Sequence, residues 1–391
     1  MAGLIAHEWI ETRGGAERVL DNMVAEYSTA DIACLWDDAP SRYPDNRVLQ
    51  SWMSASPLRK NKALALPLMS ATWRNWRADQ NYDWVLASSY VFAHHAQFTT
   101  KTHSPLKFSY VHTPARYLWA PELDPRGRRA IARATSPLLR AIDRRAASAD
   151  SYLAANSEFV RERILRSWNR DSRVIYPPVD VNRIMSVRDW TSEISEKETR
   201  LIEGLPQTFL LGASRFVEYK GLDIVIRAGE RARLPVVIAG NGPLADKLRA
   251  QAETASVPVT IIQSPSDSLL YCLYQRALAY VFPPIEDFGI MPIEAMAAGC
   301  PVLVNTVGGT SESVTHGISG FQLDRFDGED LIRAIDAASS LDRGAVQESA
   351  RRFDSVLFRS ELQSWVNHGL RGETSFEATQ QSTRLGTGVL L

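Results

Sequence analysis

The chain has 391 residues, more than one hydrophobic core usually serves, so two domains are expected. With 45% hydrophobic and 23% charged residues it reads as a soluble globular protein, and a net charge of −1 argues against a dedicated nucleic-acid binder. The near-neutral total hides an asymmetry: residues 1–180 carry 24 Lys and Arg against 19 Asp and Glu, the remainder 20 against 26, so the two halves are expected to meet different surroundings.

In chain order, the N-terminal apolar run is short and lacks a basic leader, so no signal peptide is expected. No stretch approaches the ~20 apolar residues of a membrane span. Short apolar runs follow at Leu4–Ala6, Trp84–Ala87, Phe108–Val111 and Tyr152–Ala155. The adjacent prolines of Val174–Asp180 mark the domain boundary, which gives domains over 1–178 and 179–355. Beyond it lie Thr208–Gly212, Pro235–Ala239, Val259–Ile262, Ala279–Phe282 and Pro301–Val304. These runs are too short for helices and do not alternate, as befits parallel strands buried on both faces. The segments between them, such as Gly221–Arg233, read as amphipathic helices, so the expected class is α/β with doubly wound sheets. Near the end Phe358–Val366 looks helical, and the tail over 371–391 reads as mobile. Cys34, Cys272 and Cys300 fit no disulfide framework or metal spacing, which agrees with a reducing, cytoplasmic setting.

Six segments carry candidate chemistry. In Ala279–Val304, Glu286 falls just beyond a strand's carboxyl end, where open α/β sheets bind ligands. Glu294 lies eight residues on, inside the following helix, and Phe288, Gly289 and Ile290 open that helix, where free N–H groups hold anionic or polar atoms. By position alone, the two carboxylates bind a sugar and a ribose, or one caps the helix and the other is solvated. Arg215 and Lys220 straddle the next such loop and form either a diphosphate clamp or two solvated cations. Gly240 and Gly242 flank Asn241 after a strand and permit close backbone approach to a ligand. Gly308 and Gly309 suit a similar approach or a tight turn. In the first half, Gly14 and Gly15 open a helix in a way suited to a phosphate or a sugar hydroxyl, or to helix–strand packing. His112 follows a strand, and Pro114, Arg116 and Trp119 are expected to crowd around it in a shaped pocket.

Taken together these segments resemble the family 4 retaining glycosyltransferases of the GT-B fold, over about Leu4 to Val366. The resemblance rests on Glu286 and Glu294 within EDFGIMPIEAMAAGCPV, on Gly14-Gly15, His112-Thr113-Pro114, Asn156-Ser157 with Phe159, Arg215 with Lys220, and Gly240-Asn241-Gly242-Pro243, in the family's order. It implies two Rossmann-like domains facing each other across a central cleft, the first binding the acceptor and the second the nucleotide sugar. It also implies a C-terminal helix, about 356–370, that crosses back onto the first domain. Arg215 and Lys220 resemble the donor diphosphate clamp, and Glu286 the carboxylate on the sugar hydroxyls. Phe288 and Gly289 would present backbone N–H groups, Glu294 would hold the ribose, and His112 would approach the transferred sugar. Gly14 and Gly15 would lie against the donor phosphate or the acceptor. Through IEDFGIMPIEA and YVHTPARYLW the chain is similar to bacterial mannosyltransferases that use GDP-mannose, with a UDP-hexose ranking second; Gln263–Leu270 departs from the pattern common at this place, which leaves the nucleotide open.

The expected partners are a nucleotide-sugar donor and a lipid-linked or oligosaccharide acceptor, with no cofactor and no metal required. Arg126–Arg145, with seven arginines and one acid, and Leu58–Arg77 would give a basic surface for anionic lipid at the inner face of the membrane, or ordinary solvated helices. Two other classes compete: a non-catalytic nucleotide-sugar sensor, and an epimerase or phosphorylase of similar fold.

Overall fold

Two parallel sheets organise the chain. The first contains β1 (Gly3–His7), β2 (Asp31–Cys34), β3 (Val48–Gln50), β4 (Trp84–Ser89), β5 (Leu106–Val111), β6 (Ser151–Ala155) and β7 (Arg173–Val174), in the order β3-β2-β1-β4-β5-β6-β7. The second contains β8 (Leu210–Arg215), β9 (Val236–Asn241), β10 (Val259–Gln263), β11 (Ala279–Phe282), β12 (Val302–Asn305) and β13 (Gly320–Leu323), in the order β10-β9-β8-β11-β12-β13. The computed structural model describes residues 1–121, 130–148 and 151–372, the side chains of 130–135 and 151 apart. Residues 126–129 of the basic stretch Arg126–Arg145, and the tail from 373 on, therefore lie outside the described residues.

The strands extend past the sequence expectations at their carboxyl ends, through Ser88-Ser89 in β4, Ser214-Arg215 in β8 and Gly240-Asn241 in β9. Polar residues there interrupt the apolar run but keep the ladder. Four strands carried no apolar run marked in the sequence: β2, β3, β7 and β13. Each has four residues or fewer, and β3, β7 and β13 are edge strands.

Alternation divides each strand between two cores. Leu4 and Ala6 of β1 pack with Met69 and Trp73 of the helix Lys62–Asn75. Ile5 packs on the other face with Val19, Leu20 and Met23 of the helix Gly15–Glu26. The same face receives Phe358, Leu362, Trp365 and Val366 of the C-terminal helix Ser355–Leu370. That helix lies against the first sheet although it follows the second in sequence. Phe353, Val179 and Ser355 exchange backbone hydrogen bonds where the chain returns. Each buried aromatic contributes about 1.5–3 kcal/mol, so the returning helix is held by its own apolar face.

Each sheet reverses its strand order once, between β1 and β4 in the first and between β8 and β11 in the second. Crevices outside the carboxyl ends of strands at such points are where open α/β sheets bind ligands.

Candidate functional site

The loops that leave the switch-point strands supply the site. After β11 the chain runs Pro283 to Gly289 before the helix Ile290–Ala297 begins. Gly289 is the N-cap of that helix at φ +99, a conformation that favours glycine, and no side chain caps it. Glu286 is thus not a helix cap. Its Oε1 accepts from Lys220 Nζ at 2.6 Å, and its Oε2 lies 3.5 Å from Arg116 of the first domain. Lys220 also sits over the Phe282 ring. Arg116 completes a second pair, donating through Nε to Asp287 Oδ2 at 2.8 Å.

Glu294 is 2% exposed, which removes the solvated alternative. It accepts a hydrogen bond from Arg18, on the helix Gly15–Glu26 of the first domain. Burial pushes the Glu294 carboxyl above its usual range, and Arg18 opposes that shift. Phe288 is also inward: its ring packs with Tyr176 and Phe353 in the second domain's core, so only its backbone is offered to a ligand. Arg215 donates to the Tyr219 hydroxyl at 2.5 Å, whereas Lys220 turns to Glu286, so the two cations do not converge as a clamp in this structure.

The glycines sort into three kinds. Gly15 faces the second domain, where a Cβ would stand 3.3 Å from Ile290 Cδ1. Gly14 lies beneath the folded-back Glu17 carboxylate. Gly240 and Gly242, at φ +144 and +152, pack against the backbones of Ser214 at the end of β8 and of Phe216 just after it, an approach a Cβ would block. Asn241 likewise turns to its own domain, donating to Ser264 Oγ at 2.7 Å. Gly308 and Gly309 bring the short helix Gly309–Ser313 against the 286–287 backbone, and Gly309 N donates to the Glu286 carbonyl at 2.8 Å.

His112 stands at the cleft mouth of β5. Its Nε2 is 2.9 Å from Ser88 Oγ, and the rings of Tyr90 and Tyr110 meet it edge-on. Burial, with His7 nearby, pushes the imidazole down to about 3, so it is neutral near pH 7. The polar groups of Arg116 and Trp119 are committed elsewhere. Arg116 crosses to Asp287, and Trp119 points to Asp143 on the helix Ala130–Ser148.

Several contributors were not singled out in the sequence. Asp287 is the main tie between the domains: it pairs with Arg116 and with Arg163, which donates to Oδ1 at 2.5 Å, while its carbonyl accepts from Ser157 Oγ at 2.6 Å. Glu312 accepts from the backbone N–H groups of Glu158 and Phe159, which open the helix Glu158–Trp168. The Asn156-Ser157 motif therefore serves domain contact here. Asp287 adjoins Glu286, and that adjacency was its one readable signal.

Among the described residues His94, His95 and Asp143 form a group with metal-ligand chemistry. Their atoms are already committed to one another. Both Nε2 atoms reach Asp143 Oδ1, at 3.0 and 2.9 Å, and the Trp119 and Trp168 indoles donate to Oδ2, both at 2.7 Å. Ser89 and Ser70 take the two Nδ1 positions. The group reads as a hydrogen-bonded knot that ties the helix Ala130–Ser148 to the sheet.

Two family models match the chain: Glycosyltransferase Family 4 over residues 13–183 and Glycosyl transferases group 1 over residues 195–355. O-antigen chain mannosyltransferase C of Escherichia coli is 29% identical over 182 residues, 44% of this chain and 49% of that protein. The GDP-mannose-dependent alpha-(1-6)-phosphatidylinositol monomannoside mannosyltransferase of Mycobacterium tuberculosis is 28% identical over 237 residues, 55% of this chain and 60% of that protein. The chain thus spans about half the length of the curated relatives it matches. In structure it superimposes on Anabaena HepE in complex with UDP and glucose at a TM-score of 0.69 and 19% identity, covering 94% of this chain and 100% of that one.

Proposed function

Given that the chain belongs to the family 4 glycosyltransferases of the GT-B fold, we propose that it moves a hexose, mannose first, from a nucleotide-diphosphate sugar to a glycolipid or polysaccharide-precursor acceptor with retention of configuration. The observation that carries the reading is the row of cleft carboxylates after β11. Glu286, Asp287 and Glu294 are each held by a cation, and Arg116, Arg163 and Arg18 reach them from the opposite domain. A ligand entering between the domains meets hydroxyl-binding carboxylates and phosphate-binding cations together.

Departure of the diphosphate is assisted by Lys220 and Arg215 and by the N–H groups that open the helix Ile290–Ala297. Glu286 is held as a hydrogen-bond acceptor by Lys220 and Arg116, a role suited to sugar hydroxyls rather than to covalent attack. The acceptor then attacks from the face the diphosphate leaves, and the leaving phosphate oxygen takes its proton. In this reading the diphosphate charge is met by Lys220, Arg215 and the helix N–H groups, without a metal. Neutral His112 contributes hydrogen bonding at the transferred sugar. Domain closure excludes water that would otherwise compete with the acceptor.

Mannose is favoured by the names of both curated relatives, and GDP by that of the Mycobacterium tuberculosis enzyme. A UDP-hexose is the second reading, favoured by the UDP and glucose in the Anabaena structure. A lipid-linked acceptor is supported by the exposed Trp52, Leu64 and Leu68 beside exposed Lys60, Arg74 and Arg77. A groove of about 450 Å³ opens there, lined by Trp52, Leu68, Trp76 and Arg77. Arg59 and Lys62 are instead paired with Asp38 and Glu11, and Arg140 and Arg144 are bonded to backbone carbonyls, so only part of the basic surface faces outward. Among the described residues no helix is long and apolar enough to cross a membrane. A cytoplasmic protein working at the inner membrane face accords with this reading.

A thermal-shift screen against GDP, UDP, GDP-mannose and UDP-glucose, with and without magnesium, tests it. A ligand that binds the folded state raises the melting temperature by mass action. Stabilisation by GDP and GDP-mannose without metal is expected. A response to UDP species alone moves the donor to the second reading, and no response at millimolar nucleotide overturns the transferase reading.

A further inference from the structure

Three adjacent strands end in one polar row. His7 closes β1, its register partner Ser88 lies near the end of β4, and His112 follows β5. Ser88 Oγ touches both rings, at 3.1 Å from His7 Nδ1 and 2.9 Å from His112 Nε2. A hydroxyl has one proton, so it donates to one imidazole and accepts from the other. The row therefore has a direction, and something must set it.

Glu17 is placed to do so. His7 is fully buried, and its Nε2 has no hydrogen-bond partner. Glu17 Oε1 lies 3.9 Å from that nitrogen, too far for a hydrogen bond but close enough for strong electrostatic interaction in a dry site. Glu17 is itself 2% exposed and is anchored by the Glu11 backbone N–H at 3.3 Å. A carboxylate facing a bare imidazole lone pair is repulsive, whereas facing an N–H it is attractive. In a neutral His7 the proton therefore belongs on Nε2. Its Nδ1 is then an acceptor, Ser88 donates to it, and the same hydroxyl must accept from His112 Nε2–H. One lone pair remains, on His112 Nδ1.

We propose that Glu17 and His7 are positioning residues that act through Ser88 to fix His112 as the Nε2–H tautomer, leaving Nδ1 to accept a hydrogen bond from a hydroxyl of the donor sugar. The sugar-facing part rests on the transferase reading; the tautomer does not. Burial alone would push the Glu17 carboxyl up, yet its contact with His7 holds it below its usual range, as an ionised anchor requires. Tyr90 and Tyr110 fix the plane of the His112 ring, so direction and orientation come from different neighbours.

The test is ¹⁵N–¹H long-range correlation on histidine-labelled full-length protein at pH 7, with His112→Asn to assign the ring. Wild type is expected to show His112 protonated at Nε2. Glu17→Gln and Ser88→Ala are expected to mix or invert that tautomer, with kcat about tenfold lower and donor KM unchanged, and Ser88→Thr should restore the wild-type spectrum. A His112 protonated at Nδ1 in wild type, or one whose tautomer ignores both Glu17→Gln and Ser88→Ala, overturns the relay. An Nε2–H His112 in a protein that transfers no sugar keeps the relay and overturns the transferase reading instead.

Discussion

Two knots of buried charge hold this molecule, and they are built from different donors. Asp143 is fully buried within the first domain and is satisfied by two imidazoles and two indoles. Glu286, Asp287 and Glu294 are satisfied by cations, most of them from the opposite domain. Short-range donors committed from all sides leave no room for exchange, and such a carboxylate fixes structure. Cation partners reaching across a cleft can be traded for ligand phosphates and hydroxyls as the domains move, and such carboxylates suit binding.

The contrast is broken most severely at the first knot. Asp143→Ala leaves four donors without this partner, three of them buried, and a loss of about 3–5 kcal/mol is expected in denaturant unfolding. Glu286→Gln should do the reverse, lowering sugar transfer about 100-fold, equivalent to about 2.7 kcal/mol, with the unfolding midpoint little changed. Intact mass spectrometry during turnover should show no sugar adduct on Glu286.

Acid sharpens the comparison next. His112 and His95 are held down to about 3 and about 4, both chiefly by burial. Between about pH 6.5 and pH 4 the unfolded chain takes up protons at these rings that the folded chain refuses. The unfolded state then binds more protons, so stability rises with pH and falls on acidification, by on the order of 1 kcal/mol per unit. Melting temperature against pH reads this, and a flat profile over that window would contradict it. The smallest effect belongs to Asp287→Asn. It weakens the ties to Arg116 and Arg163 without emptying a core, so solution scattering should show a more open molecule and donor KM should rise a few-fold.

The alternating βα pattern and the strand-to-helix loops were legible because each depends on residues close in sequence. The spacing of Glu286 and Glu294 was legible for the same reason, since strand, loop and helix put both near one crevice. Their partners were not. Arg18 is 276 residues from Glu294, and nothing local marks it among the basic residues of the first half. His7 meets Ser88 only because β1 and β4 pair in that register, 81 residues apart. Gly240 and Gly242 illustrate a different limit: the local pattern marked a close approach, and the backbone of Ser214 and Phe216 that makes one lies in a neighbouring strand and turn. Asp143 stood as the one acid among seven arginines in 126–145, a signal that could have been read as a buried anchor.

The central claim is that the cleft carboxylates exchange their cross-domain cations for a nucleotide sugar. Calorimetric titration of GDP-mannose and GDP into wild type and Glu294→Gln tests it most directly. Binding by wild type and at least a tenfold weakening in the variant, about 1.4 kcal/mol, is the expected result. Equal affinity in the two proteins would place the nucleotide elsewhere and contradict the account.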